Sequence, residues 1–267
     1  MTGGRGRGGA SSARAVGATL RAAVAEAVAN RASFWWQATV MVLNDLAWVG
    51  FWLLFFREVG SIRGWDADDV LLLFAVLTTA AGIALGVTSN ARRIGTMAAD
   101  GELDAALTLP VPPLAHLLAR RVEPVNLGDA MFGVGLFAVA GGPTPARAGL
   151  FVLAVLAGAT VMIGFQVAIQ SLSFFVGRNE AGELGIHAVI LLASYPAEVF
   201  RGVPKALMYT VVPAAFVSTV PSTLVRDFDP AAAAGLLAVA AATMFAGWAL
   251  FTLGLRRYTS GAAWSRA

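Results

Sequence analysis

Cysteine is absent from this sequence of 267 residues, and lysine occurs once, at Lys205. Without cysteine the chain forms no disulfide bond and offers no thiolate as a nucleophile or metal ligand. The single lysine follows a proline, so no GxxxxGK[ST] segment is present to bind the phosphates of a nucleotide. No HExxH motif occurs either, and His116 and His187 are far apart in the chain. We therefore predict no catalytic residues, no metal site and no cofactor bound by this chain.

Charged residues are also scarce, at 13% of the chain, whereas a soluble domain carries about 25%. Hydrophobic residues make up 58%, and the mean hydropathy is +0.72. This composition predicts an all-α, polytopic membrane protein. The pI of about 9.9 comes almost entirely from arginine, which we attribute to membrane topology and anionic lipid headgroups rather than to nucleic acid. The abundance of alanine, glycine and arginine favours a bacterial protein in the inner (cytoplasmic) membrane.

Six apolar segments predict transmembrane helices. Five cover about 38–56, 70–91, 124–141, 148–176 and 231–255, and another begins near 184 and is interrupted at Pro196. Before them, residues 1–15 are rich in glycine, arginine and serine, which predicts a disordered basic tail. Residues 16–37 combine charged groups with aromatic residues, a pattern typical of a helix in the membrane interface. We therefore predict a single six-helix transmembrane domain over 16–267.

The basic residues predict which side of the membrane each loop occupies. With six spans and both termini in the cytoplasm, thirteen of the 19 basic residues fall on the inner side and six on the outer side. Basic residues near span ends are retained on the cytoplasmic side, so this excess supports that topology. The proline-rich segment 203–225 would add a seventh span and place the C-terminal arginines outside. We therefore predict that it forms short helices that dip into the outer leaflet.

The most polar internal segment is the loop 92–121, which has an arginine pair at each end. Within it, AADGELDAALTL predicts one short amphipathic helix, with Leu103 and Leu107 four residues apart and carboxylates near its N-terminal end. Such a helix would contact a cytosolic partner, and the alternative is a solvated linker. After the loop, Glu123 and Asp129 are expected to form ion pairs with its second arginine pair.

Polar side chains inside predicted spans are costly and by default indicate function. Asn44 and Asp45 in the first span, and Gln166 and Gln170 in the fourth, are our candidates for a substrate pathway. A carboxylate at Asp45 would favour cationic cargo, and the alternative is a hydrogen bond to a neighbouring helix. The two glutamines share one helix face, and hydrogen bonding between helices is the simpler account of them.

Two segments resemble a known family. The first, IGTMAADGELDAALTLPVPPL, resembles the cytoplasmic loop of six-span permease subunits of bacterial ABC exporters, in the group that includes viologen and multidrug exporter permeases. The residues that carry this resemblance are Gly95, Gly101, Glu102, Leu103, Asp104, Leu107 and Pro110. The second, VVPAAFVSTVP, is similar to the short outer helices that those permeases carry between spans five and six.

The resemblance implies a function and its site residues. A coupling helix in the loop would dock onto a separate ATP-binding-cassette ATPase subunit, which binds ATP and magnesium. The residues of that coupling helix are Gly101, Glu102, Leu103, Asp104, Leu107 and Pro110. Two permease subunits, as a homodimer or heterodimer, would enclose the substrate pathway among membrane lipids, with Pro213, Phe216 and Pro221 as an outer gate. The expected cargo is a hydrophobic, amphiphilic or cationic drug-like molecule.

Other classes of function are open or disfavoured. A secondary transporter that needs no ATP often has internal repeats with matching broken helices, but only one broken region is evident, after the fifth span. A membrane scaffold protein would also need no ATPase. An intramembrane enzyme is disfavoured because no compact set of polar groups is evident on facing spans. A neighbouring gene for an ATP-binding subunit would distinguish these classes.

Overall fold

The computed structural model describes residues 5–29, 31–177 and 181–258. Its α-helices are α1 (Arg5–Ala29), α2 (Arg31–Val59), α3 (Ala67–Val87), α4 (Ile94–Ala99), α5 (Leu103–Leu107), α6 (Pro113–Ala119), α7 (Pro124–Ala140), α8 (Pro145–Ser171), α9 (Ser173–Val176), α10 (Ala181–Ala193), α11 (Val203–Tyr209), α12 (Thr219–Arg226) and α13 (Pro230–Leu255). Short 3-10 helices cover Ser89–Arg93, Ala197–Val199 and Ala214–Phe216. In this described part, four helices are long and apolar enough to cross a membrane, or six if two bent helix pairs each count as one span. The predicted all-α, polytopic architecture is confirmed.

The N-terminal region differs from the prediction. α1 begins at Arg5, so most of the segment 1–15, predicted to be a disordered tail, is helical. Proline is absent from α1, so no residue in it prevents a continuous helix. The predicted interfacial helix 16–37 is divided between α1 and the start of α2. Trp35 and Trp36 lie exposed near that start, which is typical of residues at a membrane interface.

α3 lies at the centre of the bundle and packs against α2, α7 and α8. Most of its apolar length, 83%, is buried inside the protein. Asp66 caps its first turn, because the Asp66 carboxylate accepts a hydrogen bond of 3.0 Å from the backbone N–H of Asp69. α3 runs from the connection with α2, which we call the far end of the bundle, to the loop 92–121, which we call the loop end.

The fifth crossing is completed by irregular backbone. α10 has 13 residues, fewer than the roughly 20 that a straight span needs. Its first turn lies at the loop end, where Gly182 packs against the side chain of Gln170 near the end of α8. Beyond α10, the carbonyl oxygen of Glu198 accepts a hydrogen bond of 2.9 Å from Arg63, in the connection at the far end. Residues 181–198 therefore run from the loop end of the bundle to its far end.

The segment after this crossing enters the bundle and returns to the same end. It starts at the far end beside Glu198 and finishes there at Arg226, which forms an ion pair of 2.7 Å with Asp69. Between these points, α11 and the helical stretch 214–226 meet at 54°. The carbonyl of Val217 packs against Gly158, in the middle of α8, so the segment reaches the middle of the bundle. The predicted short dipping helices form this re-entrant hairpin.

Candidate functional site

The loop 92–121 folds into three short helices, α4, α5 and α6. The single helix predicted for AADGELDAALTL is divided at Gly101, which has a φ of +77° and lies between α4 and α5. There, the N–H of Glu102 donates to the carbonyl of Met97 over 3.0 Å, the bond that closes a Schellman motif. Glycine adopts this left-handed conformation without the steric cost of a side chain. The loop therefore turns sharply just before the acidic residues of α5.

Leu103 anchors α5 to the transmembrane bundle. Its side chain is fully buried in a cluster with Ile94, Met97, Leu117 and Phe251, which joins α4, α5 and α6 to α13. Burying a leucine side chain stabilises a fold by roughly 1.5–3 kcal/mol. The predicted coupling segment is therefore attached to the spans through this cluster and is not a solvated linker.

The other side of α5 presents apolar and acidic groups outward. Leu107 is 39% exposed and Leu109 43%, and Pro110 is also exposed. Leu107 therefore does not share the buried environment of Leu103, because α5 ends at Leu107 and the chain turns away. Glu102 is exposed and forms a loose ion pair of 3.7 Å with Arg93.

We call Glu102, Asp104, Leu107, Leu109 and Pro110 the α5 surface. Asp104 is only half-buried, and the other four residues are exposed. The α5 surface therefore places exposed apolar side chains beside two carboxylates at the loop end of the bundle.

Gln170 lies where the loop meets two spans. A Cβ atom added to Gly95, between α4 and α8, would lie 2.8 Å from its Oε1. A Cβ atom added to Gly182, at the start of α10, would lie 2.5 Å from its Nε2. Gln166, one turn earlier on α8, is completely buried. The amide of Gln170 thus fills the junction of α4, α8 and α10, and the pathway role of both glutamines stays a prediction.

The acidic residues near α2 and α7 are arranged differently from the prediction. Asp45 is buried and interacts electrostatically with Asp129, while Asn44 is exposed on the neighbouring position of α2. The predicted ion pair of Asp129 with the loop arginines is therefore wrong, because Asp129 lies more than one helical turn inside α7. Glu123 does pair with Arg121, over 3.6 Å, and also with the first arginine of the loop. The pathway role of Asn44 and Asp45 stays a prediction.

Two of the three predicted gate residues line a common cavity. Pro213 and Phe216, in the re-entrant hairpin, bound a cavity of about 220 Å³ against α8 and α13. The Phe216 ring packs edge-on against Tyr209, with 5.6 Å between ring centroids. Pro221 is buried in α12. Their role as an outer gate stays a prediction.

Sequence patterns did not predict two further cavities at the loop end. One, of about 700 Å³, is apolar and lies between α6 and α13, with Leu118 and Trp248 among its lining residues. The other, of about 490 Å³, is polar and lies between α1 and the loop. The arginine pairs were the only sequence signal near the polar cavity, and nothing in the sequence places α1 beside them.

The fold and this site define a multi-pass, α-helical membrane protein with a folded loop at one end of its bundle. The chain belongs to the ABC-2 family: the family model described as ABC-2 family transporter protein matches residues 42–262. It is accordingly an ABC-2 type permease subunit, a membrane component of an ABC transporter rather than its ATPase. Searches of curated proteins and of solved structures find no match.

Proposed function

We propose that this chain is the permease subunit of a bacterial ABC exporter, driven by a separate ATPase subunit that docks on the α5 surface. The observation that supports this proposal is that α5 presents exposed acidic and apolar groups outward, while the buried side chain of Leu103 attaches α5 to the bundle. This arrangement suits a segment that receives a push from a partner and passes it to the membrane helices. In the proposed topology the loop end and both termini face the cytoplasm, and the far end faces outward.

The contacts of the loop specify which helices would move with it. The buried cluster around Leu103 includes Val167 of α8 and Phe251 of α13. Gln170 links α4 to the first turn of α10. When ATP binding closes two ATPase subunits, their movement against α5 is transmitted to α8, α10 and α13. Because well-packed interiors resist compression, these helices rock as a unit instead of absorbing the displacement locally.

The substrate pathway would form between two permease subunits, in a homodimer or heterodimer. Only 22% of the apolar stretch of α2, and 22% of that of α13, is buried within one subunit. Those helices therefore have apolar faces available to lipid and to a second permease. The cargo is a hydrophobic, amphiphilic or cationic drug-like molecule, and the re-entrant hairpin with Pro213, Phe216 and Pro221 gates its release.

Charge reversal on the α5 surface tests this proposal. Glu102→Lys with Asp104→Lys should abolish co-purification of the ATP-binding subunit in mild detergent, while the variant stays folded and in the membrane. The matched control is Glu58→Lys with Asp227→Lys, which makes the same change in charge at exposed far-end positions. The control should retain the ATPase and its transport-stimulated turnover.

The alternative function is that of an ATP-independent secondary transporter or a membrane scaffold. In that case the purified wild-type protein would carry no stoichiometric ATP-binding subunit, and charge reversal at α5 would leave its activity unchanged. Equal retention of the ATPase by the α5 variant and by the far-end control would also contradict the docking proposal.

A further inference from the structure

The polar cavity between α1 and the loop is a candidate ligand site that shares only Glu102 with the α5 surface. Its volume is about 490 Å³, within the range of roughly 300–1,000 Å³ typical of ligand pockets. The polar groups that line it come from α1, the 3-10 helix Ser89–Arg93, the start of α5 and the residues that follow α6. They are Glu26, Asn90, Arg93, Glu102, Arg120 and Arg121.

Across the residues that the structure describes, ion pairing leaves both a carboxylate and guanidinium groups of this cavity incompletely paired. Arg93 pairs with Glu102, and Arg121 shares with Arg92 a single glutamate, Glu123, that lies just outside the lining. Within the described residues, Arg120 and Glu26 have no ion pair and no side-chain hydrogen bond, and neither do they pair with each other. A ligand that carries a separated anion and cation would satisfy both groups.

Asn90 fixes one wall of the cavity. Its side chain is 3% exposed, and its Nδ2 donates to the carbonyl of Leu117 over 2.9 Å, which ties the 3-10 helix Ser89–Arg93 to α6. The wall that these two helices form is therefore held in place before a ligand binds.

The cavity lies at the level where the spans leave the membrane. α3 ends at Val87 and α7 begins at Pro124, and the N–H of Glu123 donates to the carbonyl of Gly86 over 2.9 Å, so these two ends are adjacent. Arg120 and Arg121 directly precede this point. Exposed Trp35 and Trp36 follow α1 closely, as expected at the headgroup level.

We propose that this cavity binds the headgroup of a phospholipid that carries both a phosphate and a primary amine. Arg120 binds the phosphate, since guanidinium groups match phosphate oxygens in a charge-assisted geometry. Glu26 accepts hydrogen bonds from the ammonium group. Glu26 attracts an ammonium group and repels a second negative charge, so it favours a zwitterionic headgroup over a purely anionic one.

Native mass spectrometry of the full chain tests the assignment, with three lipids that share acyl chains and differ in headgroup. Phosphatidylethanolamine has a phosphate and N–H donors, phosphatidylcholine has a phosphate and no N–H donor, and phosphatidylglycerol has no amine. The wild-type protein should retain phosphatidylethanolamine best. Arg120→Gln should lower its retention roughly tenfold, the loss expected for one charge-assisted hydrogen bond. Glu26→Gln should abolish the preference among the three lipids.

The matched controls are Arg57→Gln and Glu58→Gln, which remove the same charges at exposed positions of the far end and should leave lipid retention unchanged. Equal retention by wild type and Arg120→Gln, or no preference of the wild type for phosphatidylethanolamine, would overturn the proposal. If soluble glycerophosphoethanolamine saturated the cavity at the same concentration as the lipid, the acyl chains would contribute nothing to binding. The ligand would then be a soluble molecule and not a lipid. The assay needs no ATPase, so its outcome is independent of the docking test.

Discussion

Glycines set the closest approach of α8 and α13, and substituting one of them has a calculable effect. A Cβ atom at Gly247 would lie 2.6 Å from the carbonyl oxygen of Gly164 and 3.2 Å from the Cβ of Val167. Ordinary contact begins near 3.4 Å, so the helices would have to separate by about 0.8 Å. Neither atom is at the end of a flexible side chain, so neither can rotate away. Overpacking of this kind costs roughly 1–3 kcal/mol.

A second glycine in the same helix removes the effect of helix propensity from this measurement. Gly→Ala in a helix interior favours the helix by about 1 kcal/mol, which would partly hide the clash at Gly247. At Gly235, also in α13, a Cβ atom would meet nothing within 4 Å, so Gly235→Ala carries only the propensity gain. The difference in unfolding free energy between the two variants is therefore the packing cost alone, about 1–3 kcal/mol.

Thermal unfolding in a fixed detergent measures this difference. About 1 kcal/mol shifts the Tm of a domain of roughly this size by about 2–4 °C, so Gly247→Ala should melt roughly 2–12 °C below Gly235→Ala. Equal melting temperatures for the two variants would refute the close backbone contact of α8 and α13. In that event the transmission of loop movement through α13 would also lose its structural basis.

Two further predictions concern the ends of the bundle. Leu103→Ala should lower the unfolding free energy by about 2–5 kcal/mol, because it opens a cavity in the buried cluster, whereas Leu107→Ala should leave Tm within about 2 °C and weaken only ATPase co-purification. If Leu103→Ala and Leu107→Ala lowered the Tm equally, the assignment of Leu103 to the buried side of α5 and of Leu107 to its exposed side would be contradicted. Arg226→Gln breaks the ion pair that returns the hairpin to the far end, so limited proteolysis should cut 203–226 faster than in wild type, while its effect on overall stability stays near 1 kcal/mol. An unchanged cleavage rate would argue against that pair as the tether.

Much of the transmembrane framework could be predicted from the sequence because the bilayer imposes length and composition on each span. The apolar stretches assigned to the first four spans and the last coincide with α2, α3, α7, α8 and α13 to within a few residues at most ends. The ends of the helices were predicted less accurately. The second span was predicted to end at residue 91, but α3 ends at Val87 and a 3-10 helix begins at Ser89. Prolines correctly marked the hairpin, because they prevent continuous helix in an otherwise apolar segment.

The arrangement within the candidate site could not be predicted, because it depends on contacts between distant segments. Proximity in the sequence predicted an ion pair between Asp129 and the arginines at the end of the loop. The position of Asp129 around the axis of α7 instead places it close to Asp45. Likewise, the period of the leucines in α5 suggested one shared face, but α5 ends at Leu107, so Leu103 is buried and Leu107 is exposed. Local pattern specifies neither the rotation of a helix in a fully apolar environment nor the residue at which so short a helix ends.

The contacts of the loop end imply that binding of the ATPase to the α5 surface and binding of the lipid in the polar cavity influence each other. Glu102 belongs to the α5 surface, and its partner Arg93 lines the lipid cavity. An ATPase group that competes for Glu102 would free Arg93, make its guanidinium available to a phosphate together with that of Arg120, and so raise the affinity of the cavity for phosphate. By reciprocity, a lipid phosphate that draws Arg93 away leaves Glu102 unpaired and available to a basic group on the ATPase. The loose 3.7 Å geometry of this pair makes such an exchange inexpensive, because a weak exposed ion pair contributes at most about 1 kcal/mol. On this account the ATPase would bind more tightly to a permease that already holds its lipid.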